Sequence, residues 1–150
     1  MTLGPTVGGG LKLIPEEVQD WLVLLEIAAD AHQDLASSFA KLMDEDAMWD
    51  EIVGPELETE FGAQKKHVLQ VVRKARRSNQ EEIIIDVQDA DLWYGALNQA
   101  RLSLENQYRF GAMNLSSAND IEEREARSAY LRNDFYLTLQ SLILRYIKVN

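Results

Sequence analysis

Residues 91–104 read DLWYGALNQARLSL. At about 100° per residue, Trp93, Ala96, Leu97, Ala100, Leu104 and, one turn further on, Tyr108 fall on one face of a helix. Tyr94, Asn98, Arg101 and Glu105 lie on the flank of that face. The spacing predicts a helix with a core stripe and a polar shoulder. It starts near Asp89 and ends about Phe110, with Gly111 placed to cap it.

Just upstream, residues 81–87 read EEIIIDV. Three consecutive β-branched residues favour a strand over a helix. Near the start of the chain, Leu11-Lys12-Leu13-Ile14 alternates like a second short strand. Pro15 suits the first turn of a helix, where Glu16 and Glu17 complement the helix dipole. Val18, Trp21, Leu25, Ala28, His32, Leu35, Phe39 and Leu42 then hold one helical face through about Met43. Asp44-Glu45-Asp46 breaks that pattern. Met48, Trp49, Ile52 and Val53 suit one or two turns ended by Gly54 and Pro55. The next helix is expected from about Pro55 to Arg77, burying Leu57, Phe61, Val68, Val72 and Ala75, and Ser78-Asn79-Gln80 follows as a loop. After a polar loop at residues 114–119, the last helix runs to about Lys148. It carries Ile121, Ser128, Phe135, Leu139, Leu142 and Tyr146 on one face, and Asn133-Asp134 is a candidate kink.

Leu11-Lys12-Leu13 precedes Trp21 by the spacing at which Ile83-Ile84-Ile85 precedes Trp93. Both halves then read strand, helix, helix; without detailed identity between them, a repeat and a coincidence remain equal readings. The expected fold is all-α: four long helices in a bundle-like core, with a minor two-stranded β-ribbon pairing the two strands. One domain spans residues 1–150, with residues 1–10 a flexible Gly-rich arm.

Composition excludes several chemistries. There is no cysteine, which removes disulfides, thiol catalysis and cysteine-based zinc sites and fits a reducing cytoplasm. The N-terminal segment lacks the basic and apolar regions of a signal peptide. The longest apolar stretch, WLVLLEIAADA, is interrupted by Glu26 and Asp30, so no membrane span is expected and the protein is placed in the cytoplasm. A net charge of −10 disfavours nucleic acid and anionic membranes as partners and leaves proteins and small molecules.

Neither histidine has a glutamate three residues before it; Ala29 and Gln64 hold those places. The inward Glu-x-x-His set of di-iron bundles is therefore missing, and no metal or cofactor is expected. The acidic clusters at residues 44–46, 56–60 and 86–91 lack calcium-loop spacing. No phosphate-cradling glycine loop or catalytic-triad signature is present. The cations of KKHVLQVVRKARR, residues 65–77, suit the C-terminal half of a helix better than a nucleic-acid surface.

Two sets of residues are candidate sites. Arg101 offers a rigid fork for a carboxylate or phosphate, beside Tyr94, Asn98 and Glu105; the competing reading is a structural cluster that holds helices together. Tyr130, Leu137 and Leu144 repeat every seven residues opposite the Leu139 face of the last helix. Leu102, Val23 and Ile27 likewise point away from the expected core stripes. A helix apolar on two sides is central in its fold or covered by another chain, so Tyr130, Leu137 and Leu144 are candidate self-association residues in a homodimer.

Residues 93–104, WYGALNQARLSL, resemble the bacterial domain-of-unknown-function family two thousand and seventeen. Its members carry a tryptophan, then Ala-Leu-Asn-Asp, then Arg-Leu; Asn98, Arg101 and Leu102 match, and Gln99 replaces the usual aspartate. Leu13-Ile14-Pro15-Glu16-Glu17, Glu60-Phe61 (with Gly62 for the usual arginine) and residues 136–142, YLTLQSL, are similar to other parts of the family. The resemblance implies a helical protein often encoded beside the adaptor that feeds the Clp protease. The combined expectation is a non-enzymatic protein-interaction or regulatory module linked to Clp-type proteolysis. The alternative is a small-molecule-binding protein or enzyme with a polar pocket around Asn98 and Arg101.

Overall fold

The computed structural model describes residues 1–31, 47–110 and 121–147. In chain order they form β1 (Thr2–Pro5), β2 (Leu11–Ile14), α1 (Val18–Asp30), α2 (Ala47–Arg77), β3 (Ile83–Ile85), α3 (Ala90–Tyr108) and α4 (Ile121–Tyr146). The molecule is mainly helical, with one small antiparallel sheet of order β1-β2-β3. Leu11 pairs with Ile85, Lys12 with Ile84 and Leu13 with Ile83, which is the ribbon expected from the sequence.

A third strand extends that ribbon. The stretch expected to be an arm supplies β1, whose Thr2 to Pro5 pair with Ile14 to Leu11. The glycines serve the turn that follows: Thr6 N–H donates to the Gly10 carbonyl at 2.9 Å, and Gly10 N–H donates to Thr6 Oγ1 at 2.9 Å. Any Cβ at Gly10 would lie 2.5 Å from the Ile85 carbonyl oxygen, so only glycine lets β2 and β3 meet there. Leu11, Leu13, Ile83 and Ile85 face the helices fully buried, while Ile84 points outward, as the two-residue period of a strand requires.

α3 is the central helix and packs against α1, α2 and α4. Its expected stripe of Trp93, Ala96, Leu97, Ala100 and Leu104 is buried, and Tyr108 packs partly buried at its end. Because neighbours cover more than one side, Gln99 and Ser103 are buried too. The helix stops earlier than Phe110: Arg109 takes the left-handed conformation (φ 51°) and donates its N–H to the Glu105 carbonyl at 2.8 Å. Gly111 lies outside the described residues.

The outer helices are rotated relative to expectation. α1 buries Leu24 and Ile27, and Ala31 caps its end, also buried, with Trp21 and Leu25 only partly covered and Val18 65% exposed. α4 buries Ala129, Tyr136, Leu139, Gln140 and Ile143, with Ile147 just beyond its end also buried, whereas Ser128 is exposed and Phe135, Leu142 and Tyr146 sit at the margin. Both helices carry apolar residues around much of their circumference, so periodicity admits more than one buried face, and contact with neighbours selects one. The candidate kink at Asn133-Asp134 is continuous helix.

α2 runs unbroken from Ala47 through Gly54 and Pro55 to Arg77, where two separate pieces were expected. A proline inside a helix forfeits one backbone hydrogen bond and crowds the preceding turn. That cost is local, and Val68, Val72 and Ala75 anchor the rest of the helix in the core. Phe61 is partly buried. The expected continuation of the first helix through His32, Leu35, Phe39 and Leu42 lies outside the described residues, as do the loop at 114–119 and Lys148.

Candidate interaction surface

The polar shoulder of α3 faces α4. Arg101 donates from Nη1 to Gln140 Oε1 at 2.6 Å, and Gln140 Nε2 donates to the Tyr94 carbonyl at 3.3 Å. Gln140 is buried and was not singled out from the sequence. Arg101 is partly buried, and its Nε is a buried donor that finds no partner among the described residues. Asn98 and Glu105 are exposed. Arg101 and Tyr94 thus meet around Gln140 as a bridge between helices, while Asn98 and Glu105 lie at the surface.

On the other side of α3, Gln99 Nε2 donates to Gln64 Oε1 at 2.8 Å and to the Phe61 carbonyl at 3.1 Å. Gln64 lies against Gly95, where a Cβ would collide with its carboxamide. Gly95 therefore admits a buried amide between α2 and α3, and Gln99 uses it.

A third polar cluster joins the end of α1 to α4. Asp30 is 6% exposed and accepts from Arg132 Nε at 2.8 Å and Nη2 at 3.0 Å, a two-pronged contact. Tyr136 Oη donates to Asp30 Oδ2 at 2.5 Å, and Arg132 Nη1 donates to Ser128 Oγ at 2.9 Å. The hydrogen bond to Asp30 is the main cause raising the Arg132 pKa above its ordinary value. Burial first, then the Asp30 charge, holds the Tyr136 hydroxyl protonated far above the usual tyrosine range. The sequence signal for this cluster was weak: Arg132 and Tyr136 share a helix face, but nothing local ties them to Asp30.

His67 is partly buried, with Nε2 3.9 Å from Asp89 Oδ2, and His32 lies outside the described residues. No group of three histidine, aspartate or glutamate side chains converges among the described residues.

The outer face of α4 is different in kind. Tyr130 is 40% exposed, Leu137 43% and Leu144 67%, and Leu131 beside them 62%. Two hydroxyls along this face are turned into their own helix: Thr138 Oγ1 donates to the Asp134 carbonyl at 3.0 Å and Ser141 Oγ to the Leu137 carbonyl at 2.9 Å. That leaves fewer polar groups demanding water between the leucines. Tyr130 is steadied from within by an edge-on contact to Phe110, centroids 5.5 Å apart, and Phe110 stacks on Tyr108. At helical spacing Asp134, Ser141 and Arg145 lie along one side of the Leu137–Leu144 row.

Comparison with protein-family models, with curated proteins and with solved structures found no match. Among the described residues no helix is long and apolar enough to cross a membrane.

Proposed function

We propose that this chain is a non-enzymatic cytoplasmic interaction module that pairs with a second copy of itself through the outer face of α4. The exposed seven-residue repeat of Tyr130, Leu137 and Leu144 carries this reading. Such spacing suits packing against another helix. A twofold arrangement with the helices antiparallel sets Leu137 opposite the partner's Leu144, and the reverse, and leaves Tyr130, held by Phe110 of its own chain, at the end of the seam beyond the partner's helix. Ser141, a small residue, then falls beside the axis and permits close approach. In the same arrangement Asp134 lies within two residues, about 3 Å along the axis, of the level of the partner's Arg145. Apolar seam and opposite charges are therefore matched by one symmetry operation. Arg101, pointed at Gln140 inside the fold, supports a structural part for the α3 shoulder rather than a pocket. The family resemblance adds Clp-type proteolysis as the setting in which such a module would act.

Light scattering tests the pairing. The wild-type protein should have the mass of a dimer at micromolar concentration, and Leu137→Glu should yield a folded monomer. A wild-type protein that stays monomeric at high micromolar concentration would overturn the proposal. A Leu137→Glu protein that unfolds would place that side chain in the chain's own core and also count against it.

A further inference from the structure

The C-terminal turn of α2 carries more positive charge than its position in the fold uses. Arg73, Arg76 and Arg77 are spaced i, i+3 and i+4, so all three project from one side of the helix. They line a groove of about 680 Å³ with Gln70 and Leu69 of α2 and Leu25 of α1. Among the described residues none of the three forms an ion pair with a carboxylate. Cations near a helix C-terminus are ordinarily explained by the dipole, but that amounts to only about half an elementary charge. Nor are the arginines needed as caps. Gln80 N–H donates to the Ala75 carbonyl at 2.9 Å and Asn79 N–H to the Arg76 carbonyl at 3.3 Å, with Asn79 left-handed at φ 52°. The helix end is closed by its own backbone. Three guanidiniums crowded into one turn repel one another, and a bound anion relieves that repulsion.

We infer that this groove is a docking site for a short acidic peptide segment that also carries an apolar side chain. Guanidinium forks match carboxylates, Leu25 and Leu69 supply an apolar floor, and the Gln70 amide can both donate to and accept from a peptide backbone. Among the described residues that line the groove, Gln70 and the three arginines are exposed. A groove so open suits a chain laid along it better than a small molecule, which needs enclosure on most sides. A nucleic acid fits less well. The row from Arg73 to Arg77 rises only about 6 Å, and a chain of net charge −10 repels an extended polyanion from a distance.

The test is fluorescence anisotropy with a short labelled peptide of alternating glutamate and leucine. The same peptide with lysine for glutamate, a labelled oligothymidylate, and pyrophosphate as competitor are the comparisons. The glutamate peptide should bind saturably and more weakly as salt rises, and the lysine peptide should not bind. The double variant Arg73→Glu/Arg76→Glu should weaken binding at least about tenfold with an unchanged circular dichroism spectrum, since both side chains are exposed. Leu25→Ser should weaken it with the arginines intact, and Leu137→Glu should leave it unaltered. The proposal fails if the glutamate peptide does not bind at high micromolar concentration, or if the double variant binds it as wild type. It also fails if oligothymidylate binds more tightly than the peptide, or if pyrophosphate displaces the peptide at lower concentration than free peptide does.

Discussion

Asp30 ends α1, where the backbone already presents its unpaired carbonyl oxygens and a carboxylate is disfavoured. Arg132 and Tyr136 make the position tenable, and the burden falls on Tyr136, which is fully buried. Its pKa in the folded chain is raised, first by loss of water and then by the neighbouring charge. A neutral phenol held in this way contributes stability that is fully present below the unfolded tyrosine pKa of about 10. The contribution is lost as pH rises above that value, because the unfolded chain releases a proton the folded chain retains. Ultraviolet titration should therefore show part of the tyrosine ionisation coinciding with alkaline unfolding. In Tyr136→Phe that part should disappear from the unfolding step, and the variant should be about 1–3 kcal/mol less stable at neutral pH, because Asp30 loses a hydrogen bond in a buried place.

At the scale of elements, the same cluster is a clamp between α1 and α4. Removing the cation alone, as in Arg132→Leu, leaves a buried carboxylate without its counter-charge and should cost about 3–5 kcal/mol in urea unfolding. Replacing all three partners, Asp30→Leu and Arg132→Leu with Tyr136→Phe, should recover most of that loss, since the cluster then carries neither a charge to desolvate nor a buried hydroxyl without an acceptor. A triple variant whose loss is the sum of the single losses would show that the three residues do not act together. Elements also mark how far the sequence could be read. The stripe from Trp93 to Leu104 alternates cleanly with polar residues, so α3 and its buried face were legible. The pairing of β2 with β3 was legible because both are short runs rich in strand-forming residues, but their register was not, since three identical isoleucines do not say which of them faces the helices. In WLVLLEIAADA nearly every position is apolar, and the rotation of α1 is set by what lies beside it. Gln140 and the Asp30 cluster were hidden for a related reason: a buried polar side chain is recognisable only by partners distant in sequence.

For the molecule as a whole, exposure of Leu137 and Leu144 is the property with the widest consequence. If a second copy covers them, folding and association are linked, and stability depends on concentration. The midpoint of thermal unfolding should rise as wild-type concentration is raised from micromolar to high micromolar. In Leu137→Glu it should stay constant. A wild-type midpoint independent of concentration would show that the leucines are left to water. The polar bridges inside the fold, Arg101 to Gln140 and Gln99 to Gln64, predict no such dependence, because each is closed within one chain.

The pairing of β2 with β3 also bears on the order in which the chain can fold. Ile83 comes seventy positions after its partner Leu13, and the strands enclose both α1 and α2. Bringing them together means closing a long loop, whose entropy is lost before the sheet returns any contact energy. The hairpin of β1 and β2 and the individual helices rest on local contacts and are free to form early, but the middle strand must wait for its second neighbour. Until Ile83–Ile85 emerges from the ribosome, one edge of Leu11–Ile14 has nothing to pair with. Joining that edge therefore belongs to a slow stage of folding that cannot begin until both α1 and α2 have been made.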